Sequence, residues 1–422
     1  MTKPKVALFV SHPIQHFCPQ YASLQKSEVY DFKVFFASKL GSEPYEDKNF
    51  RKTVSWSNLR LNEFNHVFLN QTSIPISNRL DAENIANELN NYNPNVVIIY
   101  GYAQRFQERV IKWAKSNGSL IYYISDSENH HHESILKKVY KWFKLRPHFR
   151  KLDRFLTVGN ANEFYYQSYG VPTQRMTRMQ FSVDIELLES SYLNRFEARK
   201  QLREALGIDE KSIVISVVGK FVPWKRQLDA IKAVCDLPEN IPVKLLLIGS
   251  GPDEEKLVDV ANKACPNRVV FSGFVCPSKL PDYYCASDIY LHCSEHEPHS
   301  LAISEAIYLG LPLIISHRCG SYGPLDDLQP GRNGFLYNTG DTKELTSQIQ
   351  RLATNESLRE EFSQNSRTYA VESQQRAHKE FLLQALRADN LLQWKKTPSK
   401  KLNHDSAVAD KHFAIFQRTT GI

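Results

Sequence analysis

Two lysines and two glutamates in the second half of the chain have the types and spacing to act on a charged ligand. Lys220 and Lys225 bracket the turn after a predicted strand, and Glu297 and Glu305 flank the start of a predicted helix. Two ammonium groups at such a turn would neutralise a diphosphate. Carboxylates beside a helix start would accept hydrogen bonds from sugar and ribose hydroxyls. A solvated basic loop explains the lysines equally well, and two glutamates at this spacing are common by chance.

The helix predicted after Glu297 offers a second means of holding an anion. The backbone amides near His299, Ser300 and Leu301 begin this helix, where amides lack intrahelical partners, and the helix dipole adds to their attraction for a phosphate. Negative charge that grows on a departing phosphate would be stabilised by these amides and by the lysines without a metal. The sequence contains no Asp-x-Asp pair that would bind a divalent cation.

Short apolar runs alternate with helical patterns along the chain, which is typical of parallel sheets built from βαβ units. The predicted strands are Val6–Val10, Phe32–Phe36, Val96–Tyr100, Leu120–Ser125, Arg154–Val158, Ile213–Val218, Val243–Ile248, Val269–Phe271, Ile289–His292, Leu313–Ser316 and Gly334–Leu336. The predicted helices are Arg79–Leu89, Phe106–Ser116, Ala161–Tyr169, Gln227–Val234, Asp253–Ala264, Ser278–Ala286, Ser300–Leu309 and Thr342–Leu352. The polar, aromatic stretch Gly41–Gln71 fits either a long loop or a small antiparallel excursion.

Ligands of open α/β sheets bind beyond the carboxyl ends of the strands. In the second half these ends carry Gly219, Gly249, Gly251 and Gly273, and in the first half they carry Ser11–His16 and Ser125–Glu128. Glycines let a ligand approach the backbone closely. Two such edges that face each other predict an interdomain cleft with a small-molecule site.

Four motifs in order give the second half a family resemblance. They are Val218-Gly219-Lys220 with Lys225, Leu247–Pro252, Val270–Phe274, and the glutamate pair Glu297 and Glu305. Over about 110 residues this half resembles the nucleotide-binding domain of retaining glycosyltransferases of family 4, which have the GT-B fold. The first half resembles a bacterial subgroup whose first strand runs into Ser-His-Pro-Ile-Gln, here Ser11–Gln15. The expected fold is therefore α/β, with two facing Rossmann-like domains and an interdomain cleft.

The resemblance implies a role for each matched residue. It assigns to the nucleotide-sugar donor Gly219, Lys220, Lys225, Gly249, Gly251, Phe274, Glu297, His299, Ser300, Leu301 and Glu305. Of these, Lys220 and Lys225 would bind the diphosphate, Glu297 the transferred sugar and Glu305 the ribose. The expected catalytic residues are Glu297, Lys225, Lys220 and Asp126, and the expected acceptor-side residues are His12, His16 and Asp126. For His16, capping or packing of the first helix is an equally good interpretation.

Four departures from the family pattern affect the predicted site. Lys220 stands where the family usually has Arg, and Pro298-His299-Ser300 replaces the usual Gly-Phe-Gly. Asp126 occupies a place where many members have His, and His12 and His16 replace a glycine-rich loop. The donor sugar and the acceptor-side chemistry therefore stay open.

The length of 422 residues exceeds one hydrophobic core and predicts two domains. With a boundary at Phe181–Leu188, residues 1–185 form an acceptor-binding Rossmann-like domain and residues 186–375 a nucleotide-sugar-binding one. Residues 376–422 form a C-terminal helix and a basic tail that includes Lys395–Lys401.

The expected activity is transfer of a sugar from a nucleotide-sugar to a glycan or lipid-linked acceptor, with retention and without a metal or other cofactor. Two alternatives stay open: a catalytically silent sugar- or lipid-binding protein on the same fold, and a nucleotide-sugar epimerase. Nucleic acid is not an expected partner, although the net charge of +7 does not by itself exclude it.

Cysteine and histidine usage predicts a reduced protein without a structural metal. The seven cysteines are scattered without a Cys-x-x-Cys pair, which is typical of small buried hydrophobes in a reducing cytoplasm. The run His130–His132 fits a solvated loop. His292, Cys293, His296 and His299 match no closed zinc site in their spacing.

The stretch Ile135–Leu145 predicts an amphipathic helix. Its apolar positions are Ile135, Leu136, Val139, Tyr140, Trp142 and Phe143, and its cationic positions are Lys137, Lys138, Lys141 and Lys144. Packing of the apolar face on the sheet explains the periodicity but not the density of positive charge. That charge predicts attraction to an anionic membrane surface. The expected location is therefore cytoplasmic, and peripheral at the inner face of the cell membrane.

Overall fold

A computed structural model describes residues 3–42, 59–130 and 134–392, together with the backbone of two short strands at 45–47 and 52–54. His131, His132 and the predicted basic tail at 395–401 lie outside the described residues.

The first half of the chain builds a parallel sheet of seven strands in the order β5-β2-β1-β6-β7-β8-β9. These strands are β1 (Lys5–Val10), β2 (Asp31–Phe36), β5 (His66–Phe68), β6 (Val96–Tyr100), β7 (Leu120–Ile124), β8 (Arg154–Thr157) and β9 (Met176–Arg178). A separate antiparallel hairpin pairs β3 (Tyr45–Asp47) with β4 (Lys52–Val54). The stretch Gly41–Gln71 thus contains the antiparallel excursion and also adds β5 to the edge of the main sheet.

The second half builds a parallel sheet of six strands in the order β12-β11-β10-β13-β14-β15. They are β10 (Ile213–Val218), β11 (Val243–Ile248), β12 (Val269–Gly273), β13 (Ile289–His292), β14 (Leu313–Ser316) and β15 (Gly334–Tyr337). In each sheet the first strand, β1 or β10, lies in the interior, and the strand order changes direction next to it. In sheets of this kind a ligand binds at the carboxyl edge, at the point where the order changes direction.

Helices cover both faces of each sheet. In the first half they are α1 (Cys18–Gln25), α2 (Ile85–Tyr92), α3 (Arg105–Asn117), α4 (Ile135–Phe149) and α5 (Asn160–Ser168). In the second half they are α6 (Ile185–Leu193), α7 (Arg195–Ala205), α8 (Gln227–Cys235), α9 (Glu254–Ala264), α10 (Leu280–Cys285), α11 (Leu301–Tyr308), α12 (Thr342–Thr354), α13 (Glu356–Gln375) and α14 (Phe381–Ala388).

One predicted helix begins later than its pattern indicates. The sequence predicts a helix over Arg79–Leu89, but α2 starts at Ile85. Asp81 accepts hydrogen bonds from the Ala82 amide and the Arg109 guanidinium, and these bonds hold the preceding segment in a non-helical form. A short acidic side chain that competes for backbone amides in this way is a common reason for a late helix start.

The C-terminal helix returns to the first domain. Phe381, Leu382, Ala385 and Leu386 of α14 are buried against the face of the first sheet that also packs on α1. Tyr122 of β7 donates to Asp389 at 2.6 Å, and Arg154 forms an ion pair with the same carboxylate at 2.7 Å. The segment predicted as a separate C-terminal helix after residue 376 therefore contributes to the hydrophobic core of the first domain.

One expectation from the sequence is wrong, and one alternative interpretation is excluded. The cysteines are not all single thiols, because Cys235 at the end of α8 and Cys265 after α9 form a disulfide. The apolar face of α4 does not pack on the sheet: Ile135 is 80% exposed, Leu136 83% and Phe143 68%. The second half of α4 is anchored through buried Leu145 and Phe149 and partly buried Trp142, so the first turns of this helix stand out from the domain.

None of the helices in the described part of the chain is long and apolar enough to span a membrane.

Candidate functional site

A cleft lies between the two domains at the carboxyl edges of both sheets. Its walls bring Gln15 and His16, from the turn after β1, next to Leu301 and Glu305 of α11. Ser182 and Asp184, from the segment that joins the domains, complete the wall on one side, and Pro277 and Ser278 after β12 lie on the other. The interdomain cleft expected from the strand ends is therefore present.

Glu305 is a buried carboxyl group at this cleft. It accepts a hydrogen bond from the Tyr284 hydroxyl at 3.0 Å. Burial raises the pKa of Glu305 to about 7, because the tyrosine hydrogen bond only partly offsets the loss of water around the charge. A ligand whose hydroxyl groups donate hydrogen bonds to this carboxylate would stabilise its charged form.

Two polar atoms of the first-domain wall have no hydrogen-bond partner among the described residues. They are Gln15 Oε1 and Ser182 Oγ, both buried beside the cleft. Unsatisfied buried oxygens cost free energy unless a ligand or water supplies a partner. The cleft is therefore equipped to hydrogen-bond a polar ligand with residues other than Glu305.

Glu297 lies at the other end of the site, after β13. Its Oε2 accepts from the Lys225 ammonium and lies 3.2 Å from His292 Nε2. Although burial opposes ionisation of Glu297, the hydrogen bond from His292 and the charge of Lys225 lower its pKa to about 2. Glu297 is therefore an anion at neutral pH, and Lys225 is already paired with it.

The first domain presents its own carboxylates to Glu297. Burial raises the pKa of Asp126, which follows β7, and the nearby Glu297 charge raises it further. Glu128 lies 4.0 Å from His296 across the domain boundary, and Arg318 donates to the His130 carbonyl oxygen. The turn after β7 thus faces the loop that bears Glu297 across the domain boundary.

The two first-domain histidines occupy different places. His16 lines the cleft together with Glu305, and the desolvation of its ring there lowers its pKa. His12 Nδ1 lies 2.8 Å from Ser11 Oγ, and burial lowers the pKa of His12 to about 4. Both rings are therefore neutral near pH 7, and His16 shares its wall with the residue expected to hold the ribose.

The glycines expected to admit a ligand instead admit another loop of the protein. A Cβ on Gly249 would overlap the Gly219 carbonyl oxygen, and a Cβ on Gly251 would crowd the Phe221 backbone. Gly249 also has φ +146° and Gly219 φ +150°, a conformation that other residues rarely adopt. These glycines therefore fix the turn that carries Lys220 and Lys225. Phe274 follows β12 and is half-buried.

The start of α11 differs from the expected cluster of free amides. The Ser300 amide donates to Ser321 Oγ at 3.0 Å, so this donor is in use. The His299 ring packs edge-on against Phe181 at 5.0 Å and lies 3.8 Å from Asp327. Its burial lowers the pKa of His299 to about 4. Of the three predicted residues here, Leu301 lines the cleft.

A polar contact joins the domains beside the site. Arg178 of β9 pairs with Asp326 at 2.6 Å and with Glu163 at 2.8 Å. Asp326 also accepts from the Asn160 amide at 3.0 Å, and a Cβ on Gly323 would strike the Asn160 side chain. The loop after β14 is thereby held against the end of β8.

Sequence reasoning missed His292, Tyr290 and Ser182. The first two lie inside a predicted apolar strand, and Ser182 lies in the predicted domain boundary. A histidine near the end of an otherwise apolar strand is the signal that points to His292. Among the described residues no cluster of three metal-ligand side chains forms, and the rings of His292, His296 and His299 contact different partners.

Residues 198–369 match the model of the family described as glycosyl transferases group 1. An uncharacterized glycosyltransferase of Methanocaldococcus jannaschii is 27% identical over 228 residues, which is 53% of this chain and 55% of that protein. The N-acetyl-alpha-D-glucosaminyl L-malate synthase of Bacillus anthracis is 30% identical over 41% of this chain and 44% of that protein. The chain thus spans about half the length of the curated relatives it matches, and the residues matched by the family model lie in the second half of the chain.

Solved structures resemble the chain over both domains. A glycosyltransferase from Rickettsia africae has a TM-score of 0.68 at 14% identity and covers 92% of this chain and 99% of its own. HepE of Anabaena, solved with UDP and glucose, has a TM-score of 0.62 at 17% identity, with 91% and 99% covered. At such low identity the likeness shows the fold alone. The expected α/β fold of the GT-B type is confirmed.

Proposed function

We propose, on the premise that residues 198–369 match the glycosyl transferases group 1 family, that the protein is a glycosyltransferase that uses a nucleotide-sugar donor. One observation carries the proposal. Glu305 lines the interdomain cleft together with His16 of the other domain, and Glu297, which is paired with Lys225, lies close to Asp126 of the other domain. A nucleotide-sugar needs such separate recognition of sugar, phosphate and ribose.

In this proposal Glu305 accepts hydrogen bonds from the ribose diol, while Gln15 and Ser182 supply further acceptors in the same cleft. Lys220 and Lys225 stabilise the charge that develops on the diphosphate as the bond to the sugar breaks. The ion pair of Lys225 with Glu297 holds this cation beside the carboxylate that the proposal assigns to the transferred sugar. Because this cation performs the role of a metal, turnover proceeds without one, and the sugar keeps its anomeric configuration as the family resemblance implies.

Asp126 provides the acceptor side of the reaction. Its raised pKa, caused by burial and by the Glu297 charge, gives it more basicity than an exposed aspartate. A carboxylate of this kind opposite the sugar site accepts the proton of an attacking hydroxyl. The acceptor class is a glycan or a lipid-linked sugar.

The membrane surface is the second part of the proposal, and α4 carries it. Five large apolar side chains of α4 are exposed: Ile135, Leu136, Val139, Tyr140 and Phe143. The segment 134–152 contains seven Lys or Arg residues and no Asp or Glu. Apolar side chains that enter a bilayer interface beside cations that meet anionic headgroups are the two components of interfacial helix binding. Since α4 follows the turn that bears Asp126, docking would bring the acceptor side of the cleft towards the lipid surface.

A panel of nucleotide sugars and nucleoside diphosphates tests the activity. A donor that binds the native state raises the melting temperature of the protein, and mass spectrometry of the same mixtures with glycan and lipid-linked acceptors detects transfer. Stabilisation without turnover would support a silent binding protein. A changed nucleotide sugar in the absence of acceptor would support an epimerase. Absence of both effects across the panel would contradict the proposal.

A further inference from the structure

Tyr290, His292 and Glu297 form a line of side chains that runs from the core of the second domain to the cleft. Tyr290 Oη lies 3.2 Å from His292 Nδ1, and His292 Nε2 lies 3.2 Å from Glu297 Oε2. Tyr290 and His292 are both buried and alternate along β13, so their rings stand on the same face of the sheet.

The chemistry of the three groups fixes where the protons lie. Glu297 is ionised and can only accept, so the imidazole must carry its proton on Nε2. Burial lowers the pKa of His292, and a neutral imidazole with a proton on Nε2 leaves Nδ1 as an acceptor. The Tyr290 hydroxyl therefore donates a hydrogen bond to Nδ1 of His292. Ser294 Oγ, at 3.1 Å from Nε2, lies beside the same bond.

The backbone of Glu297 is held independently of its side chain. Its carbonyl oxygen accepts from the Gly320 amide at 2.8 Å, and it forms a β-bridge with Cys319. The orientation of the carboxylate depends on the hydrogen bonds of the side chain. In the described part of the chain, the hydrogen bonds to this carboxylate all fall on Oε2, and this leaves Oε1 for a ligand in the cleft.

We propose that His292 is a positioning residue for Glu297. Its Nε2 proton, oriented by the Tyr290 hydroxyl, holds Oε2 and thereby directs Oε1 of Glu297 towards the transferred sugar. This inference rests on the proposed glycosyltransferase function for its catalytic consequence, whereas its structural content, the tautomer and the bond, stands without it.

Three replacements of His292 separate this role from simple packing. In His292→Gln the side-chain amide places an N–H near the position of Nε2, whereas His292→Asn is too short to reach Glu297 and His292→Phe fills the space without a donor. We expect His292→Asn and His292→Phe to lower kcat by about 10- to 100-fold, the scale of a lost hydrogen bond to a charged group, with the donor KM unchanged. His292→Gln should restore most of the lost kcat. Equal kcat in all three variants, with melting temperatures like that of the wild type, would overturn the proposal.

A second measurement does not depend on turnover. In protein labelled with ¹⁵N-histidine, long-range ¹H–¹⁵N correlation spectra distinguish the two neutral tautomers from the imidazolium. The His292 signals, identified by their loss in His292→Gln, should show the Nε2–H tautomer from pH 6 to 8, and Tyr290→Phe should produce a mixture of tautomers. An Nδ1–H tautomer or an imidazolium at neutral pH would refute the proposed bond. If the spectra show the Nε2–H form while no nucleotide sugar is turned over by the wild type, the glycosyltransferase function fails and the positioning of Glu297 stands.

Discussion

His16, from the turn after the first strand, shares a cavity wall with Glu305, from a helix of the second domain. The nucleotide end of the proposed site is thus built by both domains, and the first domain does more than receive the acceptor. The variant His16→Ala therefore tests whether the first domain contributes to nucleotide binding. We expect it to weaken binding of a nucleoside diphosphate, and calorimetry on the folded variant measures the loss. Unchanged affinity would place His16 in a packing role only.

Glu305 links nucleotide affinity to stability. The unfolded chain titrates this carboxyl group near 4.5 and the folded protein near 7, so the folded protein binds more protons between these values. The free energy of unfolding therefore falls as the pH rises through this window, and above pH 7 the buried charge destabilises the fold. Glu305→Gln removes the charge. At pH 8 we expect this variant to be more stable than the wild type by on the order of 1–3 kcal/mol, with no difference at pH 4.

The same variant should bind nucleotide less well. An amide can accept from the ribose diol but without charge, so affinity should fall by roughly 1–2 kcal/mol at pH 8. Denaturant unfolding and calorimetry on one preparation measure both effects. A variant that loses stability at pH 8, or one that keeps full nucleotide affinity, would contradict the assignment of Glu305.

The second sheet shows how far the sequence alone reaches. Strands β10, β11, β13 and β14 have the predicted bounds to the residue, because their continuous apolar runs end in glycine or polar residues. Strands β5 and β9 escape prediction, since three half-polar residues at a sheet edge carry no clear periodicity. The local sequence pattern is therefore sufficient to predict a strand that is buried on both faces of its sheet.

The site was predictable in its residue types but not in its partners. Lys225 and Glu297 are recognisable from their motifs, yet their ion pair depends on how two loops of one sheet edge meet. The exposure of α4 is a tertiary property as well, because the same apolar stripe fits a buried helix and an unpartnered one. The return of α14 to the first domain likewise depends on contacts between distant parts of the chain.

The lysines should act on phosphate and not on the nucleoside. Lys220→Ala and Lys225→Ala should lower turnover by about 100-fold, the scale of a lost transition-state donor, and weaken nucleoside diphosphate binding while sparing the free nucleoside. Lys232→Ala, an exposed lysine of α8, is the matched control and should have no effect. A chelator should leave wild-type turnover intact. Activity that is lost with chelator and restored by a divalent cation would contradict the metal-free mechanism.

A replacement of Asp126 should impair sugar transfer without impairing donor binding. Asp126→Asn keeps the size of the side chain but removes its basicity, so kcat should fall while nucleotide affinity stays unchanged. Because burial raises the pKa of Asp126, wild-type kcat should decline as the pH falls through that raised pKa, and the residual kcat of the variant should lack this decline. Steady-state rates across pH and calorimetry measure the two effects. Loss of nucleotide binding in Asp126→Asn would show that the domains do not divide the substrates in this way.

The last prediction concerns the exposed helix α4. Vesicles that contain anionic lipid should bind the protein and neutral vesicles should not, with each cation near the surface contributing about 1 kcal/mol at low salt. High salt should weaken the binding because it screens the charges. Replacing Lys137, Lys138, Lys141 and Lys144 with Gln should reduce flotation with anionic vesicles, and replacing Ile135, Leu136 and Phe143 with Ser should reduce it as well.

Matched controls separate this helix from net charge and from general stickiness. Gln at Lys200, Lys211, Lys256 and Lys343, all exposed in the second domain, lowers the net charge by the same amount and should leave flotation unchanged. Ser at Leu193 and Phe196, which are 71% and 72% exposed on α6 and α7, removes comparable apolar surface elsewhere. If the α4 variants float as well as these controls, α4 is not the contact. If the wild type does not float at all, the acceptor is reached in solution, and the exposed apolar side chains of α4 bind something other than an anionic membrane.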